Sequence, residues 1–290
     1  MIYILVGHSS FYLREGWIKK GIEYLKKDNS ETAFSKTKIK AVDELGIGSV
    51  MVQSLKFWLN FLDLMKKEEK KYIPKRNIEK IIEGDPYFQN KNILWLLHSY
   101  IFDRDNKDEI AILWNIAISS KKINVFTKDE LRVQINIFFK ENGIKFSKRS
   151  VEDSIVVFLK TYYEEIKNEK DPETNMYSPF NRLNYLQKNT KDEYYFRNIS
   201  STEISEYLVY YFLYRITEGF KYKAIEVNES YNFFSSMIKM KHYDYEKLIG
   251  KLENKDFISV DRAGGLANII IKKELSEEEI IDRLLESETI

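Results

Sequence analysis

The stretch AVDELGIGSVMVQSLKFWL, residues 41–59, constrains the fold more than any other part of the sequence. Apolar residues such as Leu45 and Leu55 have the spacing of two short helices that pack across a tight corner. Gly46 and Gly48 lie between these helices, where they allow the backbone to turn at little steric cost. The sequence therefore predicts a helix-turn-helix at this position.

The second helix of the pair has a polar face that suits a DNA groove. Its polar residues recur at i, i+4, i+7 and i+11, which places them on one side of a helix, opposite the apolar residues. They are Ser49, Gln53, Lys56 and Asn60. A DNA major groove accepts a second helix with a polar outer face and a small first residue. An ordinary helical hairpin in an all-α protein is the alternative interpretation.

The charge distribution favours an anionic partner. The net charge is only +1, but residues 1–80 hold sixteen lysines and arginines against ten acids. Residues 81–180 hold fourteen against sixteen, and residues 181–290 hold sixteen against nineteen. The positive excess therefore coincides with the predicted helix-turn-helix, which favours nucleic acid ahead of a membrane surface. A solvated, lysine-rich face would give the same count.

Composition excludes several kinds of site. The chain has no cysteine, so disulfides, thiolate nucleophiles and cysteine-ligated metal centres are excluded. A cytoplasmic location fits this composition. No stretch approaches the roughly 18 consecutive apolar residues of a membrane span, so no membrane association is expected.

The order of predicted elements gives a mainly α fold with small β elements. Helices predicted at 11–27, 36–45 and 49–65 precede the charged segment KKEEKKYIPKRN, which has the place of a wing. We therefore predict a winged helix-turn-helix DNA-binding domain over residues 1–83. Gly84-Asp85-Pro86 breaks the helical pattern, because the residue before a proline avoids helix.

Two further regions follow this break. Residues 84–222 are predicted to form a central all-helical domain, in which Thr127 and Glu130 have the spacing of a capping box. Residues 223–290 are predicted to form a winged-helix-like module with a helix and a β-hairpin. Ser276 and Glu279 open its last helix with a second capping box.

The candidate DNA-binding residues are the basic and polar side chains of the first predicted helix, the helix pair and the wing. On the first helix, lysines and an arginine interleave with Trp17, and such a mixture of basic and aromatic side chains can hold a DNA backbone. The alternative is that Trp17 belongs to the core and the lysines are solvated. Lysines and arginines of the wing would contact phosphates. The candidates are Arg14, Lys19, Lys20, Lys36, Lys38, Ser49, Gln53, Lys56, Lys75 and Arg76.

No compact nuclease pattern is visible, so the catalytic residues stay unknown. Cleaving a phosphodiester needs an activated nucleophile and stabilisation of charge at the phosphate, which metal nucleases provide with carboxylates. Glu83 and Asp85 are weak candidates, and Asp85 would equally cap the turn at Pro86. His8 would either approach a phosphate or cap the first helix. No cofactor is evident, although a nuclease would use a divalent metal, Mg²⁺ or Mn²⁺.

Several motifs together resemble a known family. They are GHSSFYLREGWIKKG at 7–21, LGIGSVMVQSLKFW at 45–58, GDPYFQNKNILWLLH at 84–98, SVEDSIVVFLKTY at 150–162 and SPFNRLNYL at 178–186. Their order and spacing resemble SspB-type proteins of bacterial DNA phosphorothioation and phage-defence islands. This family was long known as a domain of unknown function encoded beside PAPS-reductase-like proteins. The resemblance covers roughly residues 4–215.

The resemblance implies a role in placing sulfur in the DNA backbone. It implies double-stranded DNA as ligand, a nicking or DNA-handling activity, and a sulfurtransferase, a cysteine desulfurase and an ATPase as partners. Val50 departs from the family, which usually has a polar residue there, so base contacts would fall to Ser49, Gln53 and Lys56 or to another part of the chain. Three hypotheses remain: a DNA-binding component that nicks DNA, a non-catalytic DNA-binding adaptor or transcription regulator of the same island, and a protein-interaction scaffold.

Overall fold

The protein is mainly helical with small antiparallel sheets in a computed structural model. The structure describes residues 5, 7–34, 39–102, 112–119, 125–163, 177–262 and 267–287. The helices are α1 (Trp17–Lys27), α2 (Ile39–Leu45), α3 (Ser49–Phe61), α4 (Ile78–Gly84), α5 (Lys91–Tyr100), α6 (Ile112–Trp114), α7 (Lys128–Glu141), α8 (Lys148–Tyr162), α9 (Glu206–Ile216), α10 (Val227–Ser235), α11 (His242–Asn254) and α12 (Glu277–Glu286). A π-helical turn at Asn115–Ser119 continues α6, and a 3₁₀ turn forms at Pro179–Leu183.

The strands are short and all of them pair in antiparallel fashion. They are β1 (Met65–Glu68), β2 (Lys71–Pro74), β3 (Val125–Phe126), β4 (Leu186–Lys188), β5 (Tyr194–Phe196), β6 (Ala224–Glu226), β7 (Ile258–Asp261) and β8 (Asn268–Ile271). Their sheets have the orders β1-β2, β3-β5-β4 and β6-β8-β7.

The chain divides into two compact units. Unit 1 consists of Met1–Phe88 and Leu97–Phe196, and unit 2 consists of Gln89–Leu96 and Arg197–Ile290. Helix α5 thus contributes residues to both units. The predicted domain boundaries after residues 83 and 222 stay predictions.

In unit 1, α1 packs directly against α3, and a glycine permits the close approach. A Cβ atom on Gly21 would lie 2.8 Å from Leu59 Cδ1 and 3.1 Å from Leu55 Cδ1. Both leucines are fully buried, so little free space remains at this crossing. Helix α2 ends at Gly46, whose φ of 63° lies in the left-handed region that glycine adopts without strain. The predicted helix-turn-helix pair therefore forms as two helices joined at Gly46.

The first helix begins later than the sequence predicts. It starts at Trp17 rather than Phe11, directly after Gly16 with a φ of 75°. The segment before it lies against α3, because the Phe11 carbonyl accepts a hydrogen bond of 3.0 Å from the indole N–H of Trp58. This tertiary contact replaces the helical hydrogen bonds that the pattern predicted.

The predicted wing segment forms the β1-β2 hairpin, with Met65 opposite Pro74 and Glu68 opposite Lys71. An aromatic cluster from α3 and α6 forms part of the unit 1 core, with the rings of Phe61 and Trp114 4.7 Å apart. The winged-helix interpretation of these elements stays a prediction.

The prediction of an all-helical central region is wrong in one respect. Strands β3, β5 and β4 form a three-stranded antiparallel sheet, in which Val125 lies opposite Tyr195 and Gln187 lies opposite the same residue. Strands of two or three residues are too short to show an alternating pattern in sequence, and their pairing is non-local.

Both predicted capping boxes are confirmed, at Thr127 with Glu130 and at Ser276 with Glu279. Helix α9 begins at Glu206, and Ser205 caps it by accepting a hydrogen bond from the backbone N–H of Tyr207.

Unit 2 contains the predicted C-terminal hairpin, formed by β7 and β8 on either side of residues 262–267. A third strand, β6, pairs with β8 and places Ala224 opposite Ile270. None of the helices in the described part of the chain is long and apolar enough to span a membrane.

Candidate nucleic-acid interface

The predicted recognition helix, α3, exposes mainly its first turn. Ser49 is exposed, and Val50 has 52% of its surface exposed. The remainder of the helix is largely enclosed, and its buried residues are Val52, Ser54, Leu55, Phe57, Trp58, Leu59 and Phe61. Thus only the N-terminal end of α3 is open to a partner.

The middle of the polar face of α3 lies against other parts of unit 1. The side-chain amide of Gln53 donates a hydrogen bond to the carbonyl of Phe34. The ammonium of Lys56 lies 5.0 Å from the centre of the Tyr72 ring on β2. The rings of Phe34 and Tyr72 are themselves 5.9 Å apart. The structure therefore brings Gln53, Lys56 and the hairpin together, but it uses the Gln53 amide internally.

The basic residues of α1 and of the preceding segment differ in accessibility. Lys20 is exposed, whereas Arg14 and Lys19 are half-buried. The Arg14 guanidinium lies 5.8 Å from the ring of Trp17, and the Lys19 ammonium lies 5.0 Å from the ring of Tyr87. Trp17 is buried, as the core interpretation of this residue predicted. Lys20 is therefore the α1 cation that is most open to a phosphate.

The two predicted wing cations, Lys75 and Arg76, follow β2 and share one carboxylate. Lys75 Nζ lies 2.6 Å from one oxygen of Asp63, and Arg76 lies 2.8 Å from the other. The Arg76 guanidinium also lies 4.4 Å from the centre of the Tyr100 ring. Because Asp63 is 9% exposed, this network fixes the turn after α3 while it offsets much of the local positive charge. The predicted contacts Lys36 and Lys38 lie outside the described residues.

The hairpin itself carries further cations beside the predicted contacts Lys75 and Arg76. Lys70 and Lys71 are exposed at the turn between β1 and β2. Lys67 pairs with Glu31 at 2.6 Å, and both side chains are about half exposed. Exposed pairs of this kind contribute little to stability, so a phosphate would displace the carboxylate at small cost.

His8 is a buried histidine whose two ring nitrogens have hydrogen-bond partners. It is 1% exposed, its Nδ1 accepts a 3.2 Å hydrogen bond from the Ser10 backbone N–H, and its Nε2 lies 3.3 Å from Ser154 Oγ. Ser154 Oγ in turn donates to the carbonyl of Leu5 at 2.6 Å. Burial lowers the pKa of His8 to about 4, so the ring is neutral at physiological pH. This geometry favours a structural role over contact with a phosphate.

The two weak carboxylate candidates have different surroundings. Glu83 is exposed, whereas Asp85 is buried in the turn after α4 and its carbonyl accepts from Phe88 N–H. Asp85 also acts on a neighbouring carboxyl, that of Glu15. Burial raises the pKa of Glu15, the positive charge of Arg182 opposes this rise, and the negative charge of Asp85 adds to it. Arg182 holds both oxygens of Glu15, at 3.0 and 2.9 Å.

The comparison of helix surfaces reveals one group that sequence reasoning missed. On α11, Tyr243 has 66% of its surface exposed, and the Lys247 ammonium lies 4.2 Å from the centre of its ring. An aromatic residue followed by a lysine four positions later was the available sequence signal. This spacing was not distinctive in the sequence, because only the folded chain shows which side of a helix is buried and which is exposed.

Comparisons with known proteins give a consistent assignment. The family described as "Protein of unknown function (DUF4007)" matches residues 5–285. A crystal structure of magnesium-bound SspB is similar with a TM-score of 0.78, and another SspB crystal structure has a TM-score of 0.76. Each of the two is 17% identical in sequence to this chain, and the matched region covers 98% of this chain and 89% of the SspB chain. No curated protein matches the sequence.

Proposed function

Since this chain belongs to the DUF4007 family and has the fold of SspB, we propose that it is the DNA-binding component of a DNA phosphorothioate-modification system used in phage defence. The observation that carries the proposal is the fold similarity over 98% of the chain, because it includes both units. Its partners would be a sulfurtransferase, a cysteine desulfurase and an ATPase, and it would act on double-stranded DNA in the cytoplasm.

Two modules would supply the DNA contacts. In unit 1, α1, α2 and α3 with the β1-β2 hairpin have the order of a winged helix-turn-helix. In unit 2, α9, α10 and α11 with the β7-β8 hairpin have a similar order. Supporting this interpretation, both hairpins follow directly after a helix whose first turn is exposed.

Within unit 1, accessibility divides the predicted residues into two groups. Lys20 and Ser49, with Lys70 and Lys71 of the hairpin, are exposed and would meet the phosphates. The group already engaged within the protein would position that surface and consists of Arg14, Lys19, Gln53, Lys56, Lys75 and Arg76. The boundaries after residues 83 and 222 are retained as proposals for the extent of the modules.

The described residues contain no ready-made metal cluster. One of the similar SspB structures holds magnesium, but here no three acidic, histidine or cysteine side chains of the described residues come close enough together to hold a metal ion. Both oxygens of Glu15 are bound by Arg182. Because one or two carboxylates with water are the usual ligands of Mg²⁺, nicking is tested as a separate property of the chain.

The test of DNA binding is a titration of a labelled duplex by fluorescence anisotropy over a series of salt concentrations. The affinity should fall steeply with salt, with a logarithmic slope of about −0.9 for each phosphate contacted. Lys20→Glu and Lys71→Glu, at exposed positions of α1 and of the hairpin, should each weaken binding and reduce this slope by about one contact. Lys145→Glu changes the same charge at an exposed position between α7 and α8, and it should leave binding unchanged.

The outcomes separate the competing functions. Salt-dependent binding without nicking of supercoiled plasmid, in Mg²⁺, Mn²⁺ or a chelator, identifies a DNA-binding adaptor or regulator. Open-circular product that requires metal identifies a nicking enzyme. A wild-type chain that binds no duplex at low salt would refute the proposal and leave the protein-interaction scaffold as the better explanation.

A further inference from the structure

The outer face of α11 carries a more open surface than α3 does. Tyr243, Lys247, Gly250 and Asn254 occur at i, i+4, i+7 and i+11, so they share one side of the helix. The polar face of α3 has the same spacing, but there Gln53 and Lys56 contact other parts of unit 1. The opposite side of α11 is buried and consists of Tyr245, Leu248, Ile249 and Leu252. The helix is therefore anchored on one side and exposed on the other.

The sheet of unit 2 places α11 where a groove-binding helix belongs. The elements follow in the order α9, β6, α10, α11, β7 and β8, and β6 pairs with β8 rather than with β7. In a winged helix, the first strand pairs with the last in this way, and the helix before the hairpin enters the DNA groove. Arg262, at the end of β7 and the start of the hairpin loop, is exposed.

The face itself carries one cation, Lys247, and no acid. Asp244, on another side of the helix, accepts hydrogen bonds from the Ser201 backbone N–H at 3.2 Å and from its hydroxyl at 2.9 Å, and these bonds lower the pKa of Asp244. Glu253 lies 3.3 Å from Arg262. Lys247 is exposed, so it is the charge of this face that a phosphate would meet.

Gly250 is a second, independent feature of the face. A glycine inside a helix destabilises it by about 1 kcal/mol relative to alanine. A Cβ atom at this position would have no neighbouring atom within 4 Å, so packing within the chain does not require glycine. A missing side chain on an exposed helix face allows a groove wall to approach the backbone closely.

We propose that the Tyr243–Lys247–Gly250 face of α11 is the principal duplex-DNA contact of the protein, with Lys247 on a phosphate and Tyr243 against the groove wall. This inference rests on the proposed DNA-binding function and locates it in unit 2. The charge of the face is complementary to the phosphate backbone, which supplies most of the affinity in such complexes. Tyrosine adds apolar contact area and a hydroxyl that donates to a phosphate or a base edge.

The test uses the full chain and the same labelled duplex over a salt series. Lys247→Glu should weaken binding at least tenfold and reduce the salt slope by about 0.9, as expected for one lost phosphate contact. Tyr243→Ala should weaken binding without changing the slope, because it removes no charge. Gly250→Met should weaken binding through its bulk while thermal stability is retained, because no atom lies within 4 Å of its added Cβ.

A matched control lies in the same unit. Tyr222 has 51% of its surface exposed, and Lys221 Nζ lies 5.3 Å from the centre of its ring. The variants Lys221→Glu and Tyr222→Ala make the same chemical changes away from α11, and their affinities should match the wild type. Circular dichroism and melting temperature confirm that all variants are folded.

The two proposals fail in different ways. If the wild type binds duplex and the unit 1 variants Lys20→Glu and Lys71→Glu weaken it while the α11 variants behave like the Lys221 and Tyr222 controls, the α11 assignment is wrong and the proposed function stands. A wild type that binds no duplex overturns both. The assignment is supported if the α11 variants lose affinity for duplex DNA while the controls do not, with a reduced salt slope in Lys247→Glu and an unchanged slope in Tyr243→Ala.

Discussion

Acid should destabilise this protein through His8, because the folded chain holds that ring neutral. The Ser10 N–H donates to Nδ1, so the proton of the neutral ring lies on Nε2 and is directed at Ser154 Oγ. The Ser154 hydroxyl can accept it, since its own proton is donated to the Leu5 carbonyl. Protonating Nδ1 would place a charge in a buried site and would set it against the Ser10 N–H.

The size of the effect follows from the pKa values of the folded and unfolded chains. Burial lowers the pKa of His8 from 6.5 to about 4. Between these values the unfolded chain binds the proton and the folded chain does not, so stability falls as the pH falls through this window. The full effect of about 3 kcal/mol follows from about 1.4 kcal/mol per pKa unit. At pH 5 the same relation gives a loss of about 2 kcal/mol relative to neutral pH.

Proton NMR and denaturation give two measurements of this effect. The chain has only three histidines, so His98→Gln and His242→Gln assign the ring protons, and the resonance of His8 should titrate near pH 4. The free energy of unfolding in urea should be lower at pH 5 than at pH 7 in the wild type. In His8→Asn this loss should be smaller by about 2 kcal/mol. His242→Gln, at a partly exposed position, is the matched control.

A His8 resonance that titrates above pH 6 would refute the reasoning. So would an equal loss of stability in the wild type and His8→Asn between pH 7 and pH 5. Either result would mean that water or a phosphate reaches the ring, and His8 would return as a candidate for chemistry at the DNA backbone.

Three further changes test the packing and capping of the fold by urea or thermal denaturation. Gly21→Leu should destabilise the protein by about 1–3 kcal/mol through overpacking, whereas Gly250→Ala should stabilise it by up to about 1 kcal/mol; equal effects would contradict the close packing of α1 on α3. Asp63→Asn should cost about 1–3 kcal/mol, because it weakens two ion pairs, one of them to the largely buried Arg76; a neutral result would show that the turn after α3 does not depend on them. Ser276→Ala should cost about 1 kcal/mol by removing the cap of α12, and Ser287→Ala provides a comparison at its other end.

Structure that depends on neighbouring residues was predictable. The capping boxes at Thr127 and Ser276 each satisfy backbone donors within one helical turn, so the sequence pattern is sufficient to identify them. The hairpin of β7 and β8 and the turn at Gly46 are local for the same reason. The resemblance to SspB-type proteins, found from the motifs, is confirmed by the family match and by the similarity of the fold.

The exposure of the predicted DNA-binding residues was not predictable in this way. The spacing of Gln53 and Lys56 on α3 correctly predicts a shared face, but only the folded chain shows that Phe34 and Tyr72 lie against them. The same spacing on α11 leaves Tyr243 and Lys247 exposed. Helical periodicity defines a face, whereas the packing of distant segments decides whether solvent or protein covers it.

The sequence by itself determined the two capping boxes, where the hairpins of four-residue strands form, and which side chains share a helix face. Tertiary structure decided the pairing of β3 with β5, the burial of His8 against Ser154, and the close crossing of α1 over α3. Each of these joins residues that are far apart in the chain. Their free energy comes from burial and from hydrogen bonds made only after the chain has folded, so no local pattern of residues encodes them.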